Sequence, residues 1–220
     1  GLGDVYKRQF VFFYNQRGHQ AVRLLAIQPE TGEVRAIIDE TTDSFVDYTN
    51  KVFRREIPET GEIIWMSERS GWNHLYLYDE ASGKVKNAIT QGDWVVREVD
   101  QVDLEKRQIW FQASGMVPGE DPYQIHFCRV DLDGQNLVRL TDGDGTHEIQ
   151  YSPNRRYLID TYSRVDLPPV TTVRKVEDGR LICELERGDW SPLWETGWKP
   201  TMPFSAQGRD GSTDIYGVIY

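Results

Sequence analysis

The sequence has few cysteines and no long apolar run. Its 220 residues contain only Cys128 and Cys183, which argues against a disulfide-rich scaffold. No stretch approaches about 18 apolar residues, so no membrane-spanning segment is predicted. Each cysteine falls in a short strand-like run, which predicts two buried free thiols, with a disulfide as the open alternative.

Basic clusters are also missing. No run of Lys or Arg exceeds two residues, and the formal net charge is −10. A surface of this charge repels phosphate backbones, so the sequence argues against a nucleic-acid partner. The acidic residues are scattered along the chain, a distribution typical of a solvated surface.

Recognisable catalytic and metal motifs are absent as well. No serine has glycine at both −2 and +2, so the nucleophile elbow of an α/β-hydrolase is not present. His147-Glu148 would need a second histidine where Tyr151 stands, which excludes the common zinc motif. The run 142–145 does not continue as a calcium loop. We therefore predict no catalytic residue, no metal and no cofactor in this chain.

What the sequence does contain is a repeat. Four segments, 12–38, 63–89, 109–140 and 157–185, each read as a strand, a loop, a second strand, a glycine turn and a third strand. Trp65 and Trp110 are 45 residues apart and are predicted to occupy matching places. No 11-residue window has the apolar spacing of a helix.

The turn residues of the repeat point to hairpins. Each segment places glycine after a small polar residue before its last strand, at Gly32, Gly83, Gly134 and Gly179, and such pairs close tight turns. A period of about 40–50 residues is that of a propeller blade. We predict an all-β partial β-propeller of about four blades, each a four-stranded antiparallel sheet, with runs 95–99 and 148–151 opening the third and fourth blades. A β-sandwich is the alternative.

Several polar residues have a structural and a functional interpretation. His74 and His126 alternate within strand-like runs, which favours packing over catalysis or ligation. The run 68–73 is dense in polar groups and contains Trp72. It reads either as an ordinary hairpin loop with a packed aromatic or as part of a site facing a central funnel.

Four stretches in the right order resemble the propeller domain of the dipeptidyl peptidase IV family, within the prolyl oligopeptidase clan. They are Trp65–Tyr76, Thr90–Val96, Tyr162–Pro169 and Arg209–Gly217. The resemblance covers roughly residues 10–220. It implies a two-domain serine exopeptidase in which the propeller caps an α/β-hydrolase and admits short peptide ends. Such enzymes release dipeptides from N-termini, often after Pro or Ala, with a Ser-His-Asp triad and an oxyanion hole.

The resemblance also implies a domain division. Residues 1–9 look like translated adapter sequence and are predicted to be a non-native leader, with further blades expected upstream. Residues 10–206 are predicted to be propeller and residues 207–220 the start of a hydrolase domain that would carry the triad. The implied partners are peptide substrates and that hydrolase domain. Family members often form homodimers, and a periplasmic or secreted location is slightly favoured.

One substrate-binding loop is predicted from the resemblance. Phe45, Asp47 and Tyr48 fall where the family lines its extended substrate pocket. Phe45 or Tyr48 would stack on substrate side chains, and Asp47 would hold a backbone amide, although the better-known members lack an acidic residue there. An ordinary connection between blades is the alternative for this loop.

The family's paired-glutamate anchor for the substrate ammonium group is not found. Residues 93–98 imitate its pattern, but Arg97 stands where a carboxylate is needed, so Glu98 is not predicted to be the anchor. Two other functions stay open on physical grounds, because propellers serve many roles. One is a non-enzymatic protein-interaction scaffold, and the other is a propeller glycosidase with paired inward carboxylates.

Overall fold

The structure is a computed structural model that describes residues 9–220. The predicted leader, residues 1–9, lies outside the described residues except for its last position. Within the described part, antiparallel strands form four consecutive larger sheets and one hairpin. The chain is therefore almost wholly β, as predicted.

Each sheet is built from strands that are neighbours in the sequence. The first sheet consists of β1 (Phe10–Asn15), β2 (Ala21–Ile27) and β3 (Val34–Thr41). The second sheet consists of β4 (Arg54–Ile57), β5 (Glu62–Ser67), β6 (His74–Asp79) and β7 (Lys84–Ala88). The third sheet consists of β8 (Val95–Asp103), β9 (Gln108–Ser114), β10 (Ile125–Asp131) and β11 (Val138–Arg139). The fourth sheet consists of β12 (Thr146–Tyr151), β13 (Tyr157–Arg164), β14 (Leu167–Lys175) and β15 (Leu181–Arg187).

The C-terminal part is a short helix and a hairpin. α1 (Ser191–Trp194) is a single turn with proline in its first turn. Within residues 9–220, no helix is both long and apolar enough to cross a membrane. The hairpin pairs β16 (Met202–Gln207) with β17 (Asp214–Ile219). This hairpin therefore spans the predicted boundary between the propeller and the hydrolase domain, at residues 206 and 207. The boundary itself stays a prediction.

The glycine turns mark how the sheets stack. Gly83, in the last hairpin of the second sheet, has φ +67° and lies so close to the Ile37 carbonyl of the first sheet that a Cβ would overlap it. Gly134 of the third sheet would place a Cβ 2.7 Å from the Ala88 carbonyl oxygen. Gly179 of the fourth sheet is as close to the Arg139 carbonyl as Gly83 is to that of Ile37. The same turn-to-edge contact thus repeats at all three junctions.

Both faces of an inner strand are covered by this stacking. Leu75 and Leu77 of β6 enter the apolar cluster shared with the third sheet. Tyr76 and Tyr78 of the same strand enter the cluster shared with the first sheet. Burial of a large apolar side chain is worth about 1.5–3 kcal/mol, so these clusters hold neighbouring sheets together. This explains why strands such as β6 are apolar on both faces.

The predicted match of Trp65 with Trp110 is wrong by one residue. Trp65 packs in the cluster between the first and second sheets, whereas Trp110 packs in the cluster between the third and fourth. The structural counterpart of Trp65 is Phe111, which faces the second sheet in the same way. Because strand side chains alternate between faces, a shift of one residue sends the side chain to the opposite junction.

The prediction of two buried thiols holds for only one cysteine. Cys128 on β10 is buried and free, and Cys183 on β15 is free but exposed. Burial raises the pKa of the Cys128 thiol to about 12. Cys183 is exposed because β15 is an outer strand of the fourth sheet with all seven residues accessible to solvent. A strand-like pattern predicts the strand but not whether a neighbouring sheet covers it.

Candidate functional site

The predicted substrate residues lie in a loop at one end of the sheets. Residues 42–53 connect β3 to β4, at the same end as the β1–β2 and β5–β6 loops because consecutive strands are antiparallel. Phe45 is 53% exposed and Tyr48 is 42% exposed. Exposed aromatic side chains that are neighbours in space are suited to stacking on a ligand.

His19 joins the two aromatic residues, and the sequence analysis missed it. The Tyr48 ring stacks on the His19 ring with centroids 4.4 Å apart, and the Phe45 ring meets the same imidazole edge-on at 5.4 Å. The His19 carbonyl accepts a hydrogen bond of 2.8 Å from the Val46 amide. The β1–β2 loop therefore supports the loop 42–53 from the side.

Asp47 is engaged by its own loop. Its Oδ1 accepts hydrogen bonds from the Thr49 hydroxyl at 2.7 Å and from the Thr49 and Asn50 amides at 3.2 Å each. These bonds, the Thr49 hydroxyl foremost, hold the pKa of Asp47 below its usual value. The carboxylate thus shapes the turn between Phe45 and β4. Its predicted bond to a substrate amide stays a prediction.

A cleft of about 630 Å³ lies beneath Phe45. Glu40, near the end of β3, lies on its wall with a side chain that is only 15% exposed. The carboxylate accepts hydrogen bonds from Trp65 Nε1 at 2.9 Å and from Ser67 Oγ at 2.7 Å. It also accepts one from Arg69 Nη2 at 2.9 Å. Glu40 therefore ties the first sheet to the second just before the loop begins.

Arg69 has a packing role in the polar run 68–73. Its guanidinium group lies over the Tyr76 ring, 4.6 Å from the centroid, and donates a hydrogen bond to the Tyr78 hydroxyl. The neighbouring Glu68 forms an ion pair of 2.6 Å with Lys51 of the loop 42–53. Cation–π and ion-pair contacts of this kind fix the orientation of a side chain. The run 68–73 thus anchors the loop that carries the exposed aromatics.

The glutamate that imitates the family's substrate anchor, Glu98, lines a second cleft together with Asp47 and Lys51 of the loop 42–53. Glu98 is exposed on β8 and accepts a hydrogen bond of 3.4 Å from Gln112. Trp94, four residues earlier, is buried and stacks on Phe111 with centroids 5.9 Å apart. The segment 93–98 is therefore the start of the third sheet, as its sequence indicated. Among the described residues, no three His, Cys, Asp or Glu side chains are placed to hold a metal ion.

Consecutive antiparallel sheets, stacked face to face with a repeating turn-to-edge contact, define a partial β-propeller. The chain belongs to the dipeptidyl peptidase IV family. The sequence model described as the dipeptidyl peptidase IV (DPP IV) N-terminal region matches residues 5–169. The family resemblance is thereby confirmed. The match includes three of the four motif stretches, and Arg209–Gly217 lies beyond it.

Curated relatives are named as probable dipeptidyl-aminopeptidases. The chain is 28% identical over 148 residues to a probable dipeptidyl-aminopeptidase B of Aspergillus terreus, covering 65% of this chain and 16% of that protein. It is 32% identical over 101 residues to the protein of that name from Aspergillus oryzae, covering 44% and 11%. The chain thus spans about a sixth or less of these relatives.

Solved structures share the fold. Porphyromonas gingivalis dipeptidyl peptidase 4 superposes with a TM-score of 0.67 at 21% identity, over 94% of this chain and 29% of that one. A putative dipeptidyl aminopeptidase IV from Bacteroides ovatus superposes with a TM-score of 0.69 at 20% identity, over 96% and 32%. Both similarities support the partial propeller predicted from the repeat.

Proposed function

We propose that this chain is the substrate-admitting and substrate-positioning part of a serine exopeptidase that releases dipeptides from peptide N-termini, often after Pro or Ala. The observation that supports it concerns the loop 42–53. This loop exposes Phe45 and Tyr48 to solvent and is held in place by its contacts with neighbouring residues. The proposal includes the division into a propeller at residues 10–206 and the start of a hydrolase domain at residues 207–220. Bond cleavage would belong to that hydrolase domain.

In this proposal the loop contacts the peptide before and during reaction. Phe45 and Tyr48 would stack on side chains of the substrate. The His19 ring keeps Tyr48 oriented, and the Asp47 turn fixes the direction in which Phe45 points. A prepositioned aromatic pair loses little side-chain entropy when a ligand binds.

Replacing both exposed aromatics should weaken substrate binding without slowing the chemical step. In the product of the complete reading frame that contains residues 10–220, we expect Phe45→Ala with Tyr48→Ala to raise KM for an X-Pro substrate about 2- to 12-fold. This range corresponds to about 0.5–1.5 kcal/mol of lost aromatic contact. The value of kcat should stay the same, because the contact is equally strong in the ground state and the transition state.

A matched control is Tyr157→Ala. Tyr157 is 39% exposed and begins β13, at the end of the sheets opposite the loop. Its replacement should leave both kinetic constants unchanged. An unaltered KM in the loop variant would contradict the assignment of Phe45 and Tyr48 to substrate binding, while wild-type activity in the same assay would still support the exopeptidase.

A further inference from the structure

The third and fourth sheets are joined by a small apolar cluster. Only four buried residues form it, Trp110, Leu140, Leu158 and Val176. The junction between the second and third sheets contains a cluster of fourteen buried residues. Because apolar burial is the main source of cohesion between sheets, the weaker junction depends more on its polar contacts.

Two buried histidines lie across this junction. His126 on β10 belongs to the third sheet and His147 on β12 to the fourth, and their ring centroids are 4.8 Å apart. Both side chains are at most 2% exposed. The sequence analysis treated His126 as a packing residue and dismissed His147 as a zinc ligand, and it did not place the two together.

Both ring nitrogens of His147 face oxygen atoms. Nδ1 lies 2.6 Å from the carboxylate Oδ1 of Asp160, and Nε2 lies 3.0 Å from the carbonyl oxygen of Gly143. Arg174 donates to the other oxygen of Asp160 at 3.0 Å. His147 is therefore held in place between Asp160 and Gly143, in the interior of the junction.

The partners of His126 are satisfied by a neutral ring. Nε2 donates to the Glu120 carboxylate at 2.8 Å. Nδ1 lies 3.4 Å from the Thr141 hydroxyl, which itself accepts a bond from the Phe127 amide and so can donate to the ring. A proton added at Nδ1 would break the bond from Thr141. It would also place a buried positive charge 4.8 Å from His147.

Charged and titratable groups face the histidine pair from every surrounding element. They are Glu120 before β10, Arg139 on β11, Asp160 and Tyr162 on β13, and Arg174 on β14. Arg139 lies near enough to disfavour a positive charge on His126. The surroundings of the pair therefore oppose a proton on His126.

The preceding junction has the same framework with a single histidine. His74 on β6 bonds to the Thr90 hydroxyl at 3.0 Å and to the Gly92 carbonyl oxygen at 2.9 Å. The edge of this imidazole packs against Trp94 with centroids 4.8 Å apart. The Thr90 hydroxyl also accepts a hydrogen bond from the Leu75 amide. In the same way, the Thr141 hydroxyl accepts one from the amide of the residue after His126.

The two junctions differ in the residue that lies six positions after the threonine. Six residues after Thr90 is Val96, which is 1% exposed. Six residues after Thr141 is His147, which is 2% exposed. The buried valine of one junction is thus replaced by a buried histidine in the next.

We propose that the junction between the third and fourth sheets is an acid-sensitive lock, opened when His126 takes up a proton beside His147. Burial lowers the pKa of His74 as well, but the junction between the second and third sheets has no second histidine and is held by a large apolar cluster. That junction should therefore stay closed under the same conditions. Opening would separate β10 from β12 and expose the histidine pair to water. This inference does not depend on the proposed peptidase function.

The direction of the pH effect follows from burial. Desolvation lowers the pKa of His126, partly opposed by its bond to Glu120. A group whose pKa is lower in the folded than in the unfolded state stabilises the fold above its unfolded pKa, about 6.5 for histidine. That stabilisation is lost as the pH falls below this value. The lock should therefore be closed at pH 7.5 and weaken progressively below about pH 6.5.

Hydrogen exchange of the full chain tests the proposal. Exchange is measured at pH 7.5 and at pH 5.5, with exchange times scaled to the intrinsic rates. We expect the protection of residues 125–131 and 146–151 to fall about tenfold at the lower pH. Residues 74–79 of the second sheet should keep theirs. His126→Gln retains polar contacts without the titrating ring and should abolish the loss, whereas His74→Gln should leave it in place.

Two results would overturn the lock. One is equal pH dependence at residues 74–79 and 146–151 in the wild-type chain. The other is an undiminished loss of protection in His126→Gln. If His126→Gln does not fold, the comparison of the two junctions within the wild-type chain still decides the question, because both are measured in one sample.

Discussion

Alanine at Gly83 should destabilise the chain by about 1–3 kcal/mol more than alanine at Gly32. Both glycines close the last hairpin of a sheet with nearly equal φ angles, +67° and +70°. The positive φ strains an alanine equally at either position and costs about 1 kcal/mol. Only Gly83 lies against another sheet, where the new Cβ would overlap the Ile37 carbonyl oxygen. At Gly32 nothing lies within 4 Å.

Urea unfolding followed by tryptophan fluorescence measures this difference. Each alanine variant is compared with the unchanged chain, and the difference between the two variants isolates the contact between sheets from the strain of the turn. A backbone carbonyl on a packed strand cannot move aside as a flexible side chain can, so the penalty should persist. Equal destabilisation at the two positions would contradict the stacking of the second sheet on the first.

Glu62→Gln should remove about 3 kcal/mol of stability at neutral pH and almost none at pH 2. The Glu62 side chain is only 3% exposed. Burial opposes ionisation, but hydrogen bonds from Arg107, Lys86 and Thr60 outweigh it and lower the pKa of Glu62 to about 2. Arg107 belongs to the third sheet, at 2.9 Å, so the carboxylate also links two sheets.

The sign and the pH range follow from these values. A carboxyl group whose pKa is lower in the folded state stabilises the fold above its unfolded pKa of about 4.5 and loses that effect as the pH falls toward 2. Urea unfolding at a series of pH values should show the wild-type advantage over Glu62→Gln vanish across this range. Glu56→Gln is the control, because the Glu56–Arg54 pair is half-exposed and worth at most about 1 kcal/mol. A pH-independent difference would contradict an ionised Glu62.

The repeat made most of the strands predictable. Strongly apolar runs ending in a glycine turn, such as those before Gly83 and Gly179, recur at a blade-like spacing, and each forms strands in the structure. β4 (Arg54–Ile57) was missed because three of its four residues are charged, so it shows no alternation of apolar and polar residues. It is a strand because it pairs with β5. Pairing partners of this kind are not visible in a local pattern.

The site was predictable only in part. Phe45, Asp47 and Tyr48 came from the family resemblance, and their use by a substrate stays a prediction. Contacts between residues far apart in the sequence could not be predicted, because no local sequence pattern relates Glu40 to Arg69. The His19 ring beneath Tyr48 is another such contact. Glu40 and Arg69 meet only because the first two sheets stack.

The central claim is that this chain serves a dipeptide-releasing serine peptidase, and an activity assay tests it most directly. The complete reading frame on both sides of residues 10–220 would be recovered, and its purified product incubated with Gly-Pro and Ala-Pro chromogenic substrates. We predict release of the dipeptide from the N-terminus, abolished by a serine-directed inhibitor. No release by a folded product, with no nucleophilic serine downstream of Tyr220, would contradict the claim and leave a binding propeller.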